Sequence, residues 1–272
     1  MSEDFASEPL LDPALVETTL RIALAKGGEW AELFAEDRQS ASSSFDEGRV
    51  ESMSSSRDLG VGIRVTVGEI TGFAHTSDLS SEGLKEAAEV AASAATSSSR
   101  TTLVALNGDG LASTRVKMLP NLVSKQSKVA LLRRADEAAR SAGGAISQVT
   151  VGYSEGRRRI LVANTAGIFR ADDQVRTLFS VNCVATGDQG LQTGRETVGY
   201  TVGYELFEEN DVDTLAERAA NRAITKLRAR PAPSGELPVV IKNGGGGVLF
   251  HEACGHGLEA DLVKKGASVF KD

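Results

Sequence analysis

His251-Glu252-Ala253-Cys254-Gly255-His256 concentrates the chemistry of this chain. It holds two of the three histidines in 272 residues, with a glutamate directly after the first. Neutral imidazole is a preferred zinc ligand, and a carboxylate beside it can act as general base. The histidines are five residues apart, not the four that place two ligands on one face of an α-helix. At 3.6 residues per turn, five residues are roughly 140° around a regular helix, so an undistorted helix cannot aim both rings at one ion. Either a π-bulge restores the common face or the helix ends between the two. Gly255 and Gly257 make both solutions cheap, because glycine tolerates unusual backbone angles. Taken alone, the same residues also read as ordinary helix-end histidines beside a solvated glutamate. Catalytic zinc takes three protein ligands plus water, and His251 and His256 supply two.

Neighbouring residues have competing readings. Cys254 fits a small core residue better than a soft zinc ligand. Glu259 and Asp261 either orient the imidazoles or are solvated charges. Gly244 to Gly247 has no Lys-Ser or Lys-Thr to finish a P-loop and no G-x-G-x-x-G spacing. It suits a close approach of backbone to an extended substrate rather than a phosphate cradle. His75, after Gly72-Phe73-Ala74, reads as structural.

The elements that must position this motif follow from periodicity and caps. Asp12-Pro13 opens a helix carrying Val16, Leu20, Ala23 and Leu24. A turn at Asp46 to Gly48 and the alternation of Val61, Ile63, Val65 and Val67 predict strands from Trp30 to Ala74. The serine-rich run from Ser40 to Ser56 is read as a solvated hairpin, because Phe45, Val50 and Met53 interrupt it. Ser80 or Ser81 caps an alanine-rich helix. A third helix is expected over Ser124 to Ser141, with Val129, Leu132, Ala135 and Ala139 inward. A second strand block covers Ala145 to Phe207, with a basic turn before Ile160 and another turn at Asn164 to Gly167. Asp211 caps a helix with Leu215, Ala219 and Ala223 on one face. Pro231 to Gly235 is the expected domain boundary, dividing residues 1–230 from 231–272. Leu237 to Ile241 is then a short buried strand, followed by a glycine turn and a helix over Val248 to Leu258. The fold class is α+β with mostly antiparallel sheets and packed helices, ending in a strand, glycine turn and helix that carries H-E-x-x-x-H. The order of strands followed by a helix occurs twice, without a sequence repeat to match.

Composition narrows the function. Hydrophobic residues make up 41% and charged residues 25%, ordinary globular usage, and the net charge of -7 argues against a nucleic-acid surface. The amino terminus lacks the basic start and apolar run of a signal peptide, and no run nears the ~18 apolar residues of a membrane helix. Two cysteines, Cys183 and Cys254, make no disulfide framework. A cytoplasmic protein is expected, with neither nucleic acid nor membrane as partner.

Val239-Val240-Ile241, the glycines and His251 through Asp261 together resemble the signature of TldD-type metalloproteases of the TldD/PmbA family. Asp46 to Glu51, Gly60 to Arg64, Gly72 to Thr76, and Gly199-Tyr200 through Gly203-Tyr204-Glu205 are similar to the family as well, so the resemblance covers essentially the whole chain. It implies a cytoplasmic, zinc-dependent peptidase of α+β fold that cleaves unfolded or extended peptides. Zn2+ would sit on His251 and His256, with Glu252 as base. A PmbA-type partner subunit, or a homo-oligomer, is implied. The family's third zinc ligand is a cysteine in a C-terminal half for which this chain has no counterpart, so the chain reads as an N-terminal fragment. Segment 231–272 is then the start of a metallopeptidase domain, with apolar surface expected at Val248, Leu249, Leu258 and Leu262. The alternative is a non-catalytic module that binds peptides or a partner.

Overall fold

In a computed structural model of the chain, the structure describes residues 9–98, 101–108, 111–113, 116–188 and 190–271. The chain divides into two compact units, Met1–Ala229 and Arg230–Asp272.

In the first unit, short polar side chains start the helices. The Asp12 carboxylate accepts the Ala14 N–H at 2.8 Å, and Pro13 opens α1 (Pro13–Leu24). Ser80 caps α2 (Ser81–Ala94), Ser124 caps α3 (Lys125–Ser141), and, after the single turn α4 (Leu206–Glu209), Asp211 caps α5 (Val212–Lys226). Strands β1 (Trp30–Asp46) and β2 (Arg49–Val67) form a long hairpin. Its turn places Glu47 and Gly48 at φ 48° and 74°, the left-handed pair that tight hairpins need. The serine-rich run is therefore a solvated arm, as its interrupting Phe45, Val50 and Met53 implied. Ser40 pairs with Ser56 at 2.8 Å and Ser42 with Ser54 at 2.7 Å across it. The remaining strands are β3 (Ile70–Thr76), β4 (Leu111–Ser113), β5 (Ile146–Asn164), β6 (Phe169–Gly187) and β7 (Gly190–Tyr200). They make one seven-stranded sheet in the order β3-β2-β1-β5-β6, with β4 and β7 both on β6. Every pairing is antiparallel except β4 with β6, giving the expected α+β fold with a mostly antiparallel sheet.

The twice-repeated order becomes a structural repeat. α1-β1-β2-β3-α2 and α3-β5-β6-β7-α5 meet along the β1–β5 pair. Each has a glycine in its last strand where a helix closes in. A Cβ on Gly72 would fall 2.1 Å from the Ala91 carbonyl oxygen of α2, and one on Gly194 2.0 Å from that of Ala219 in α5. Alanine-rich helices and strand glycines together permit this approach.

Each repeat has its own apolar core. Leu20, Leu33, Ile63 and Leu84 anchor the first, and Leu132, Val151, Phe179 and Ala219 the second. Along β1, β5 and β6 the buried residues are odd-numbered apart from Asn164 and Ser180, so both cores lie on one face of the sheet and the other face is largely open. An ionic belt crosses between the cores. Arg57 grips Asp37 with two 2.9 Å hydrogen bonds, and Arg157 grips Asp173 at 2.5–3.2 Å. Both aspartates are buried. The basic run is thus not a turn: Arg157 to Arg159 lies mid-strand in β5, held straight by carboxylates on other strands. On α3, Lys128 takes a buried position while Val129 is half-buried, because Lys128 pairs with Glu155 at 2.6 Å over the Tyr153 ring.

The second unit is helical and open. It contains α6 (Gly245–Phe250), a π-helical segment (His251–Gly255), a 3-10 turn (His256–Leu258) and α7 (Ala260–Lys264). Leu237 to Ile241, expected as a buried strand, is neither: no strand forms, and Val240 is 95% exposed. An apolar run becomes a strand only beside a partner, and none pairs with it among the described residues. Cys254, expected in a core, is exposed. The physical reason is the same: Ser268 is the one buried residue described in this unit. Val248, Leu249 and Leu258 are exposed as expected, and Leu262 is half-buried. Among the described residues, no helix is long and apolar enough to cross a membrane.

Candidate metal centre

The five-residue histidine spacing is accommodated by the first of the two backbone solutions. His251 to Gly255 forms one π-turn between α6 and the 3-10 turn that starts at His256. A π-turn advances the chain by more residues per revolution, so the roughly 140° offset of a regular helix closes up. The imidazole centroids come to 4.4 Å from each other. Gly255 has a local reason to be glycine, since a Cβ there would press to 3.1 Å from His251 Nδ1.

Glu252 reaches the same place, with its Oε2 3.6 Å from His256 Nε2. One donor atom each from His251, Glu252 and His256 lie within 4.8 Å of one another, and among the described residues this is the only group of three or more such side chains able to hold a metal. All three are exposed. Bonds of about 2.0–2.1 Å in a tetrahedron hold donors about 3.4 Å apart, a distance that small rotations of exposed side chains can reach. Two imidazole nitrogens and a carboxylate are the borderline donors that suit zinc, so the residues present fit that ion.

Of the two carboxylates weighed as orienting groups, Glu259 makes the contact. Its Oε1 lies 2.7 Å from His256 Nδ1, which fixes that ring and leaves Nε2 for an ion. This hydrogen bond, helped by the charge of Glu252 and opposed by desolvation, raises the His256 imidazole above its ordinary value. A metal at Nε2 must displace the proton that the charged imidazole carries there, leaving the Nδ1 proton donated to Glu259.

Other residues singled out in the sequence lie elsewhere. His75 sits in β3, stacked on Phe73 with centroids 6.2 Å apart, and belongs to the other unit. Cys183 is buried in the second core, where desolvation pushes its thiol up to about 11, the state of an inert structural cysteine. Sequence reasoning missed the crowd of arginines on both faces of the sheet. Runs such as Arg157-Arg158-Arg159 show the charge but not the strand alternation that sends neighbouring side chains to opposite faces.

Comparison with known proteins matches the first unit of the chain to two domains of one family. Residues 31–95 match the PmbA/TldA metallopeptidase domain 1, and residues 119–227 match the PmbA/TldA metallopeptidase central domain. The chain is 29% identical over 250 residues to a metalloprotease TldD homolog of Buchnera aphidicola, covering 89% of this chain and 52% of that protein. It is 31% identical over 248 residues to a metalloprotease of Methanothermobacter thermautotrophicus, covering 89% and 53%. The crystal structure of a putative modulator of a DNA gyrase from Thermotoga maritima superposes with a TM-score of 0.66 at 17% identity, over 82% of this chain and 50% of that one, a likeness of fold. The chain spans about half the length of the curated relatives it matches.

Proposed function

This chain belongs to the PmbA/TldD metallopeptidase family, and on that premise we propose that it carries the zinc-binding and proton-transfer residues of a peptidase acting on unfolded or extended peptides. His251 and His256 hold the zinc, and residues 231–272 are the start of the catalytic domain. The carrying observation is the π-turn, a backbone form frequent at functional sites, which brings two imidazoles and a carboxylate together where regular helix would part them.

The chemistry of the site follows from the residues. Zinc, when bound, supplies polarisation of the scissile carbonyl and acidifies a water. Glu252 accepts the proton of that water at its carboxylate and returns it to the departing amine. Glu259 holds the His256 ring by its Nδ1 proton, which keeps Nε2 as the donor. Gly244 to Gly247 lets substrate backbone approach closely. A cytoplasmic setting and a PmbA-type subunit or second copy as partner complete this reading.

A second reading has its own support. If Glu252 serves as base, this chain contributes two ligands, and the motif stands exposed; a module that binds peptides or a partner without cleaving fits that state. Glu252→Gln decides between them. Under the peptidase reading the variant retains zinc and loses peptide cleavage by about a thousandfold or more, within the ~10²–10⁴ expected of general acid–base catalysis. Undiminished cleavage by the variant would exclude Glu252 as base. A wild-type chain purified gently without zinc would favour the module.

A further inference from the structure

The open face of the sheet carries a cluster of cations that the metal centre does not use. Arg38 of β1 stands directly opposite Arg158 of β5, and Arg158 opposite Gln174 of β6. One pair along, Ser40, Gly156 and Arg176 face one another across the same three strands. Like charges directly opposite across an antiparallel pair cost stability. Glu36 answers Arg158 alone, at 2.8 Å. Among the described residues no carboxylate lies within salt-bridge distance of Arg38 or Arg176. The contrast with the covered face is direct, since there Arg57 and Arg157 each grip a buried aspartate.

Gly156 makes the floor of a recess between these arginines. A Cβ there would meet nothing nearer than the Gln39 carbonyl oxygen at 3.7 Å. The recess has a volume of about 370 Å³. It runs on into a hollow of about 420 Å³ that shares Arg38, Gly156 and Arg176 and is walled by the serine ladder. Each hydroxyl pair, Ser40 with Ser56 and Ser42 with Ser54, has two hydrogens and spends one on its mutual bond. One O–H per pair is left to donate. The Gln174 amide is already turned to Asp172 at 2.6 Å. The trough thus offers guanidinium and hydroxyl donors, in a protein whose net charge is -7.

We propose that this arginine-rimmed trough over Gly156 is a binding site for an oxyanion, a phosphate or carboxylate group presented to the open face of the sheet. Arg38 and Arg176 supply charge-assisted hydrogen bonds from two strands, Arg158 adds charge from the strand between, and the serine hydroxyls complete the donor set. Gly156 keeps the floor clear.

The test is titration of the metal-free, full 272-residue chain with inorganic phosphate, and separately with succinate, followed by NMR at the Gly156 amide and the arginine side-chain N–H groups. Saturable shifts are expected, weakened by added salt because the site is exposed. The Arg38→Ala/Arg176→Ala pair should bind at least about tenfold more weakly. Gly156→Leu should fill the recess and abolish binding with the melting temperature unchanged, since its backbone and first carbon are tolerated. Either order of preference between phosphate and succinate upholds the site and identifies the group it takes. Shifts that never saturate, or that persist in both variants, overturn the proposal.

Discussion

The two units of this chain differ in what holds them in shape. Residues 1–229 carry two apolar cores, an ionic belt whose buried aspartates are gripped by arginines, and helices capped by their own sequence. Residues 230–272 carry the His251, Glu252 and His256 cluster, one buried residue among those described, and exposed Val240, Val248, Leu249, Phe250 and Leu258. Hydrophobic burial is the dominant favourable term in folding, so the first unit has the means of its own stability and the second does not. The groups able to do chemistry stand in the less stabilised part. There the shape of the site rests on local backbone, the π-turn and its glycine, rather than on packing.

Five substitutions test that contrast. Phe179→Ala removes a fully buried ring that meets Phe207 edge-on at 5.6 Å, and should cost about 3–5 kcal/mol in urea unfolding. Gly194→Ala forces a methyl group onto the α5 backbone and should cost about 1–3 kcal/mol; Gly72→Ala is its counterpart in the other repeat. A loss near zero for either would mean that helix and strand lie farther apart than described.

Glu205→Gln acts through charge. The Glu205 carboxylate accepts the N–H groups of Lys117 at 2.9 Å, Met118 at 3.1 Å and Gly203 at 3.1 Å. Desolvation works to raise its pKa, but together the backbone hydrogen bonds outweigh it and hold the group below its ordinary value. A depressed carboxylate stabilises the fold fully above the unfolded value of about 4.3, and that contribution drains as pH falls through the lower folded value. Glu205→Gln should therefore cost about 1–2 kcal/mol near neutral pH and progressively less in acid. A cost that does not change with pH would remove the carboxylate from the account.

Val248→Ser should change stability by no more than about 0.5 kcal/mol, because the side chain is 60% exposed. If it shifted unfolding as far as Phe179→Ala, the second unit would have a core after all, and the contrast would fail.

What was legible in the sequence tracks what is local. Asp12-Pro13, Ser80, Ser124 and Asp211 each act within one turn, and all four start helices where read. The alternation of Phe179, Val181, Cys183 and Ala185 needs only the pleat. The odd spacing of His251 and His256 demanded a special backbone, and the π-turn is one of the two forms that could supply it. What failed was whatever depended on distant partners. Arg157 to Arg159 looked like a turn because their carboxylates lie on other strands, Glu36, the partner of Arg158, being 122 residues away by sequence number. Leu237 to Ile241 looked like a buried strand because its composition is that of one, and composition does not say whether a neighbour will be present. Cys254 failed for the same reason.

The seam between the repeats sets a timetable for making the protein. The residues that β1 and β5 bring face to face are more than 100 positions apart along the chain. A ribosome adding about 5–20 residues per second delivers the second strand several seconds or more after the first. During that interval β1 has β2 on one side and a bare row of amide and carbonyl groups on the other. Such an edge is a template for stray pairing. Slower translation lengthens the exposure, so the yield of soluble protein should depend on how quickly residues 47–164 are synthesised, even when the finished fold is unchanged.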